Sequence, residues 1–174
     1  MGDEGQRSAS AEPRLQCAKG GRPVAGFSNT APIAGLIEAG YHGAVVASRE
    51  GLIREEFDRW NAGERDPDPQ VWHPDFVFHS SLTNATYQGY DGVQRWMAEI
   101  DNQFEEWHSS IDEFRDASEE RLLVLGTVHL RGRASGVEFD QPMAWLVTFA
   151  GERVTDLRTI PDYAQALKAA GLSE

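Results

Sequence analysis

The clearest alternation of hydrophobic and polar positions in the chain runs from Val137 to Phe149. Because successive residues of a strand point to opposite faces, this segment is predicted to form a strand with one largely apolar face. That face carries Val137, Phe139, Gln141, Met143, Trp145, Val147 and Phe149. Residues 122–131 are rich in aliphatic and β-branched side chains, and small residues suited to a turn follow them. The pattern predicts a long antiparallel hairpin over residues 121–151, with Gln141 as a buried polar group.

Other segments show helical or strand periodicity. A helix is predicted from an N-cap at Ser48 to Asn61-Ala62-Gly63, and a second helix is predicted to be capped by Asp91. The apolar stripe of this second helix comprises Val93, Trp96, Met97, Ile100 and Phe104. Strands are predicted at 76–80, 107–116 and 153–160, and a short helix between Asp162 and Gly171. Helices followed by a run of strands predict an α+β fold, a curved mixed or antiparallel sheet forming a cone around the N-terminal helices. The open end of such a cone is a ligand pocket.

Composition divides the chain near residue 48. Residues 1–48 hold eight of the 17 glycines and none of the five tryptophans, so they have few large side chains to bury. We expect residues 1–48 to be a low-order N-terminal extension and residues 49–174 to be the folded domain.

Charge, cysteine content and the lack of binding motifs limit the partners, location and cofactors that we expect for this chain. A net charge of -12 repels phosphate backbones and anionic lipids, so we expect neither a nucleic-acid nor a membrane partner. A lone Cys17 fits a reducing compartment, and the first residues lack the pattern of a secretory signal, so the expected location is cytoplasmic. The five histidines are scattered, and no glycine-rich phosphate loop occurs, so no metal and no cofactor are expected.

Several short motifs together resemble the SnoaL-like branch of the nuclear transport factor 2 superfamily. They are Asn61-Ala62-Gly63, His73-Pro74-Asp75, Tyr87-Gln88-Gly89-Tyr90-Asp91-Gly92, the hairpin segment 131–139, the turn 149–154 and the ending Ala166-Leu167 with Ala170-Gly171-Leu172. The resemblance covers residues 50–173 and implies the cone-shaped fold and a homodimer formed through the outer face of the sheet. It leaves the chemistry open, because the superfamily includes isomerases, cyclases, hydrolases, dehydratases and proteins that only bind ligands.

This chain lacks the catalytic residues of these relatives at the corresponding positions. The ketosteroid isomerases use a carboxylate base at the position of Ser80, and their oxyanion-hole aspartate and tyrosine correspond to Trp145 and Glu56. Cyclases that resemble SnoaL have an acidic residue where this chain has Arg158. The resemblance therefore does not imply that this chain shares their chemistry.

His79 is the candidate catalytic base, because a neutral imidazole can accept a proton near neutral pH. Strand alternation nevertheless places it opposite Phe76, Phe78 and Ser80. The predicted ligand pocket comprises Phe57, Trp60, Phe76, Phe78, Ser80, Trp96, Ile100, Gln141, Met143, Trp145, Phe149 and Arg158.

Three functions remain open at this point. The first is a binding protein for an apolar polyketide-, steroid- or terpenoid-like molecule. The second is a cofactor-independent isomerase, cyclase or hydrolase with a relocated base such as His79. The third is an interaction domain whose aromatic residues fill the cone.

A homodimer through the outer face of the sheet is expected in addition. Its residues are predicted to form two largely apolar rows that the helices cannot both cover: Ala144, Leu146 and Thr148 on one arm of the hairpin, and Leu122, Val124, Val128 and Leu130 on the other. The alternative is that residues 31–47 fold over this face within one chain and leave a monomer.

Overall fold

The computed structural model describes residues 48–173. The elements in chain order are α1 (Arg49–Asn61), β1 (Trp72–Ser80), β2 (Ala85–Gln88), α2 (Gly89–Gln103), β3 (Phe104–Ser118), β4 (Arg121–Gly132), β5 (Glu138–Ala150), β6 (Arg153–Ile160) and α3 (Tyr163–Ala170). The predicted N-terminal extension lies outside the described residues, except for Ser48.

The six strands form one mixed sheet in the order β2-β1-β6-β5-β4-β3. Only the β1–β6 pair is parallel, and the other neighbours are antiparallel. Ile53 of α1 and Val93, Trp96 and Ile100 of α2 are buried in one core with the inner face of the sheet. The predicted α+β cone is therefore confirmed. Within residues 48–173, no helix is both long enough and apolar enough to cross a bilayer.

Local capping chemistry explains the ends of α1 and α3. The Ser48 side chain accepts a hydrogen bond from the backbone N–H of Gly51 at 3.1 Å, and the Asp162 side chain accepts one from Gln165 at 2.7 Å. Gly63 and Gly171 follow the two helices with φ values of 91° and 79°, which glycine adopts without steric cost. These ends were predicted from the sequence.

The start of α2 differs from its prediction. The helix begins at Gly89, and Asp91 lies in its first turn instead of capping it. Gly89 has a φ of 61°, and a Cβ there would lie 2.7 Å from the carbonyl oxygen of Pro74. This glycine therefore lets β2 lead directly into the helix beside β1.

The register of the long hairpin decides which residues face the core. Val124 lies opposite Trp145, and Leu122 lies opposite Val147, so these residues share the inner face. Leu122, Val124, Val128 and Leu130 all belong to the main core. The prediction that they form a second row on the outer face is wrong, because directly opposed residues in an antiparallel pair point the same way.

The outer face has its own apolar cluster. Leu123, Leu125, Ala144 and Leu146 pack there against Ala166, Leu167 and Ala170 of α3. The final helix therefore covers within one chain the aliphatic surface for which a second subunit was expected.

Candidate functional site

A cavity lies between α1, α2 and the inner face of the sheet. Its wall includes residues from both helices and from strands β1, β3, β4, β5 and β6. The interior offers about 50 Å3 to the centre of a water-sized sphere. A single water needs roughly 10–15 Å3 on this measure, so the space suits a few waters or one compact molecule.

All five tryptophans of the chain line this cavity: Trp60, Trp72, Trp96, Trp107 and Trp145. Trp60 lies among three of them, with ring centroids 6.2 Å from Trp72, 6.3 Å from Trp96 and 6.4 Å from Trp107. Phe57, one turn earlier on α1, meets Trp145 edge-on at 4.9 Å. Since α1 repeats every 3.6 residues, Ile53, Phe57 and Trp60 all point toward the sheet. The wall is therefore mainly aromatic.

The indole N–H groups differ in how they are satisfied. Trp72 Nε1 donates to Glu56 Oε2 at 2.6 Å, Trp96 Nε1 to Ser80 Oγ at 2.9 Å, and Trp107 Nε1 to Ser109 Oγ at 3.0 Å. Trp60 Nε1 is buried and finds no acceptor among the described residues. A buried donor left unpaired costs roughly 1–3 kcal/mol, so this one is an exception to the usual pairing of buried polar groups.

Glu56 supplies the carboxylate of the wall. The residue is 3% exposed, and its second oxygen, Oε1, accepts a hydrogen bond from Arg59 Nη1 at 2.5 Å. This hydrogen bond raises the pKa of the Arg59 guanidinium. Within the described residues, Glu56 is the only acidic residue that lines the cavity.

Arg65 is the one basic residue among the described residues of the wall. Its guanidinium lies 2.5 Å from Asp101 Oδ1 and 5.9 Å from the ring centroid of Trp107. The side chain is 33% exposed, so it lies where the cavity meets solvent.

Asn61 fixes the end of α1 against β3. Its side-chain Nδ2 donates to the carbonyl oxygen of Ser109 at 2.7 Å, and its Oδ1 accepts from the backbone N–H of Ser109 at 2.9 Å. Both amide groups of one strand residue are thus held by one helix residue. This contact positions Trp107 and Ser109 on the cavity wall.

The predicted pocket residues fall into three groups. Seven of the twelve line the cavity: Phe57, Trp60, Phe78, Ser80, Trp96, Met143 and Trp145. Phe76, Ile100 and Phe149 are buried in the surrounding core but do not reach the wall.

Gln141 and Arg158 lie away from the cavity. Gln141 lies near the exposed start of β5, where its amide donates to the carbonyl of Pro142 at 3.2 Å. Arg158 is exposed on the outer face, because its neighbours Leu157 and Thr159 point inward to the wall. The prediction that Arg158 points into the pocket is therefore wrong, because the alternate residues of β6 face inward.

His79 also points away from the cavity. Its ring nitrogens lie 3.0 Å from Thr86 Oγ1 and 3.1 Å from Asp156 Oδ2, and the side chain is 32% exposed. Since Phe78 and Ser80 take the inward positions of β1, His79 does not face a ligand in this cavity. Among residues 48–173, no three His, Cys, Asp or Glu side chains are grouped to hold a metal ion.

Several wall residues were not predicted as site residues, notably Glu56, Arg65, Trp72, Trp107 and Ser109. Glu56 carried a recognisable signal, because it lies on the same helical face as Ile53 and Trp60. An acidic side chain on an apolar helix face indicates either a buried partner or a site.

Comparison with known proteins identifies the family to which the chain belongs. A profile of the SnoaL-like domain family matches residues 53–157. No curated protein shows a significant match.

Solved structures with this fold include an NTF2-like protein of unknown function from Burkholderia pseudomallei. It is 20% identical, with a TM-score of 0.59 over 69% of this chain and 95% of that one. A putative SnoaL-like polyketide cyclase from Jannaschia sp. is 20% identical, with a TM-score of 0.56 over 72% and 93% of the two chains. TerC, co-crystallised with polyporic acid, is 16% identical, with a TM-score of 0.59 over 71% and 98%.

Proposed function

The chain belongs to the SnoaL-like domain family, and on that premise we propose that its domain binds a compact, largely apolar small molecule in the tryptophan-lined cavity. The observation that carries the proposal is that all five tryptophans converge on one cavity with an unpaired buried N–H among them. Ligand sites are typically concave and apolar, with a few placed polar groups.

The size of the cavity limits the size of the ligand that it can hold. About 50 Å3 for the centre of a water-sized sphere suits one or two rings. A compact polyketide- or terpenoid-like compound suits this volume better than a fused steroid skeleton, which is larger. The same open space argues against an interaction domain with a filled core, because packed interiors leave few voids larger than a water molecule.

The ligand of TerC agrees with a small-molecule role for this fold, since that protein was co-crystallised with polyporic acid. The putative SnoaL-like polyketide cyclase among the similar structures also agrees with a small-molecule role. At 16% and 20% identity these proteins share the fold and do not identify the compound.

The test is to fill the cavity. Val128 lies on the wall and is 1% exposed, so Val128→Phe should occupy part of the space. Val137→Phe is the matched control, because Val137 is 59% exposed. Titration of the full-length protein with α-methylstyrene, a compact apolar ring compound, should change tryptophan fluorescence saturably in the wild type and the control, and not in Val128→Phe.

The proposal fails if the wild type shows no saturable change, or if Val128→Phe binds as well as the wild type. Melting curves recorded for both variants separate loss of the cavity from loss of the fold. Mass spectrometry of compounds that co-purify with the native protein would identify the natural ligand directly.

A second candidate function is proton-transfer catalysis with Glu56 as the acid or base. The observation in its favour is that Glu56 is the only acidic side chain on the described wall. A positioned carboxylate typically contributes 10²–10⁴-fold to such reactions. With an identified ligand, Glu56→Gln should abolish most turnover and leave binding largely intact; unchanged turnover excludes this role.

We also propose a cytoplasmic homodimer without nucleic-acid or membrane partners. The support for the location and partners is the acidic charge of -12 and the single cysteine of the whole chain. Cell fractionation tests the location.

A further inference from the structure

The polar groups of the cavity wall are mainly hydrogen-bond donors, and from this we infer that the ligand carries a carbonyl-type oxygen that accepts a hydrogen bond from Trp60. The inference rests on the proposed binding function and specifies the chemistry of the ligand.

Trp60 provides the first donor. An indole has one N–H and no acceptor, so only an acceptor atom can satisfy it. The nitrogen is buried without a partner in the described residues, although the rings of Trp72, Trp96 and Trp107 surround it. The neighbouring N–H groups of those three rings are already used. Among these four neighbouring indoles, Trp60 is therefore the one whose N–H a ligand can engage without breaking a contact within the protein.

Ser80 and Ser109 provide two further donors. Each hydroxyl oxygen already accepts from an indole, Ser80 from Trp96 at 2.9 Å and Ser109 from Trp107 at 3.0 Å. A serine hydroxyl has one hydrogen as well as its acceptor lone pairs, so each O–H is left to donate. Both residues lie on the wall and are 5% and 9% exposed. The wall thus carries three buried groups that can each donate a hydrogen bond to a ligand.

The one carboxylate of the described wall is engaged within the protein. The two oxygens of Glu56 accept from Arg59 and Trp72, and Arg59 balances the charge of the carboxylate. An ammonium ligand would therefore meet N–H and O–H donors, a compensated carboxylate and the guanidinium of Arg65. A neutral ring compound with a carbonyl oxygen matches this set of groups better.

The experiment compares acetophenone with α-methylstyrene, which has the same shape with a CH₂ group in place of the oxygen. The indole N–H signals of the five tryptophans in the full-length protein are assigned from single Trp→Phe variants and followed during both titrations. Acetophenone should move the Trp60 signal downfield and bind about two- to tenfold more tightly than α-methylstyrene, the range expected for one net hydrogen bond.

Two variants test the assignment to Trp60. Trp60→Phe keeps an aromatic ring and removes the N–H, so the preference for acetophenone should disappear. Tyr163→Phe is the control, because it removes a hydrogen-bond donor from the outer face, where Tyr163 Oη donates to the carbonyl of Gly126, and the preference should remain. If Trp60→Phe fails to fold, the comparison of the two ligands on the wild type still decides the question.

Equal affinities for the two ligands and an unmoved Trp60 signal would overturn the inference and leave the proposed binding function intact. Binding of neither compound would overturn both. Retention of the acetophenone preference in Trp60→Phe would overturn the role assigned to Trp60.

Discussion

At the scale of single residues, Glu56 links the cavity wall to the surface of α1. One oxygen accepts from the buried indole of Trp72, and the other accepts from Arg59, whose side chain is 28% exposed. Arg59 in turn lies 3.3 Å from Glu64 and 3.8 Å from Asp68. A charge on an apolar helix face is thereby held by partners on both sides, which is the condition under which a buried charge is tolerated.

We predict that Glu56→Gln lowers the free energy of unfolding by about 1–3 kcal/mol, because the charge-assisted bond with Arg59 is lost. The glutamine carbonyl can still accept from Trp72, so the fold should persist. Urea denaturation measures the change. Glu55→Gln is the control, since Glu55 is exposed and its substitution should change stability by less than about 0.5 kcal/mol. Equal effects of the two substitutions would contradict the role of Glu56.

The site residues that the sequence predicted are those with a local signal. Phe57 and Trp60 follow the helical period of α1, and Phe78 and Ser80 follow the alternation of β1. Trp107 alternates with Ser109 on a strand that was also predicted, but its relation to the cavity depends on Asn61, which is 48 residues from Ser109. Such contacts between distant segments leave no periodic signal in the sequence.

At the scale of elements, local chemistry predicted the hairpin and the caps of α1 and α3, and long-range pairing determined the rest. β1 begins at Trp72, four residues before its predicted start, because Trp72 pairs with Val154 of β6. That parallel pairing joins segments about 80 residues apart, so the segment around Trp72 alone does not predict it. The cover that α3 gives to the outer face likewise depends on the register of β4 against β5.

The cross-strand pair of His129 and Asp140 should make this hairpin sensitive to pH. The two residues lie directly opposite each other, and His129 Nδ1 is 2.8 Å from Asp140 Oδ1. The hydrogen bond to Asp140 raises the pKa of His129 above 6.5, and the charges of Asp140, Glu138 and Glu106 act in the same direction. Because folding raises this pKa, protonated His129 stabilises the folded state. The stabilisation is complete at pH values below the pKa of His129 in the unfolded chain, and it is lost as the pH rises through the pKa in the folded protein.

We expect Asp140→Asn to lower the pKa of His129 toward its ordinary value, as measured by NMR titration of the imidazole. Glu138→Gln should lower it less, because the effect of Glu138 on the pKa is smaller than that of the hydrogen bond to Asp140. An unchanged pKa in Asp140→Asn would show that the hydrogen bond does not form in solution.

At the scale of the whole molecule, the covered outer face changes the case for a homodimer. The aliphatic residues near α3 are no longer available, and the remaining outer surface around Thr127, His129 and Asp140 is polar. Val137 and Phe139, at the end of the long hairpin, are the large apolar side chains that stay exposed within the described residues, at 59% and 44%. Phe139 lies opposite Leu130 of the inner face, so it does not belong to the outer face, and an interface on the outer face would be mainly polar.

We predict that the full-length protein is still a dimer at micromolar concentration, with a light-scattering mass near twice the 19.3 kDa of one chain. Thr127 is half-buried on the uncovered part of the outer face, opposite Ser110 and Pro142 of the adjacent strands. Thr127→Arg would place two like charges near a two-fold axis through this face and should shift the mass to that of one chain. Ser118→Arg, with the same change of charge at the exposed end of β3, should remain a dimer. A monomeric wild type would refute the dimer. A dimeric Thr127→Arg would show that the interface lies on another surface, and the exposed residues Val137 and Phe139 would be substituted next.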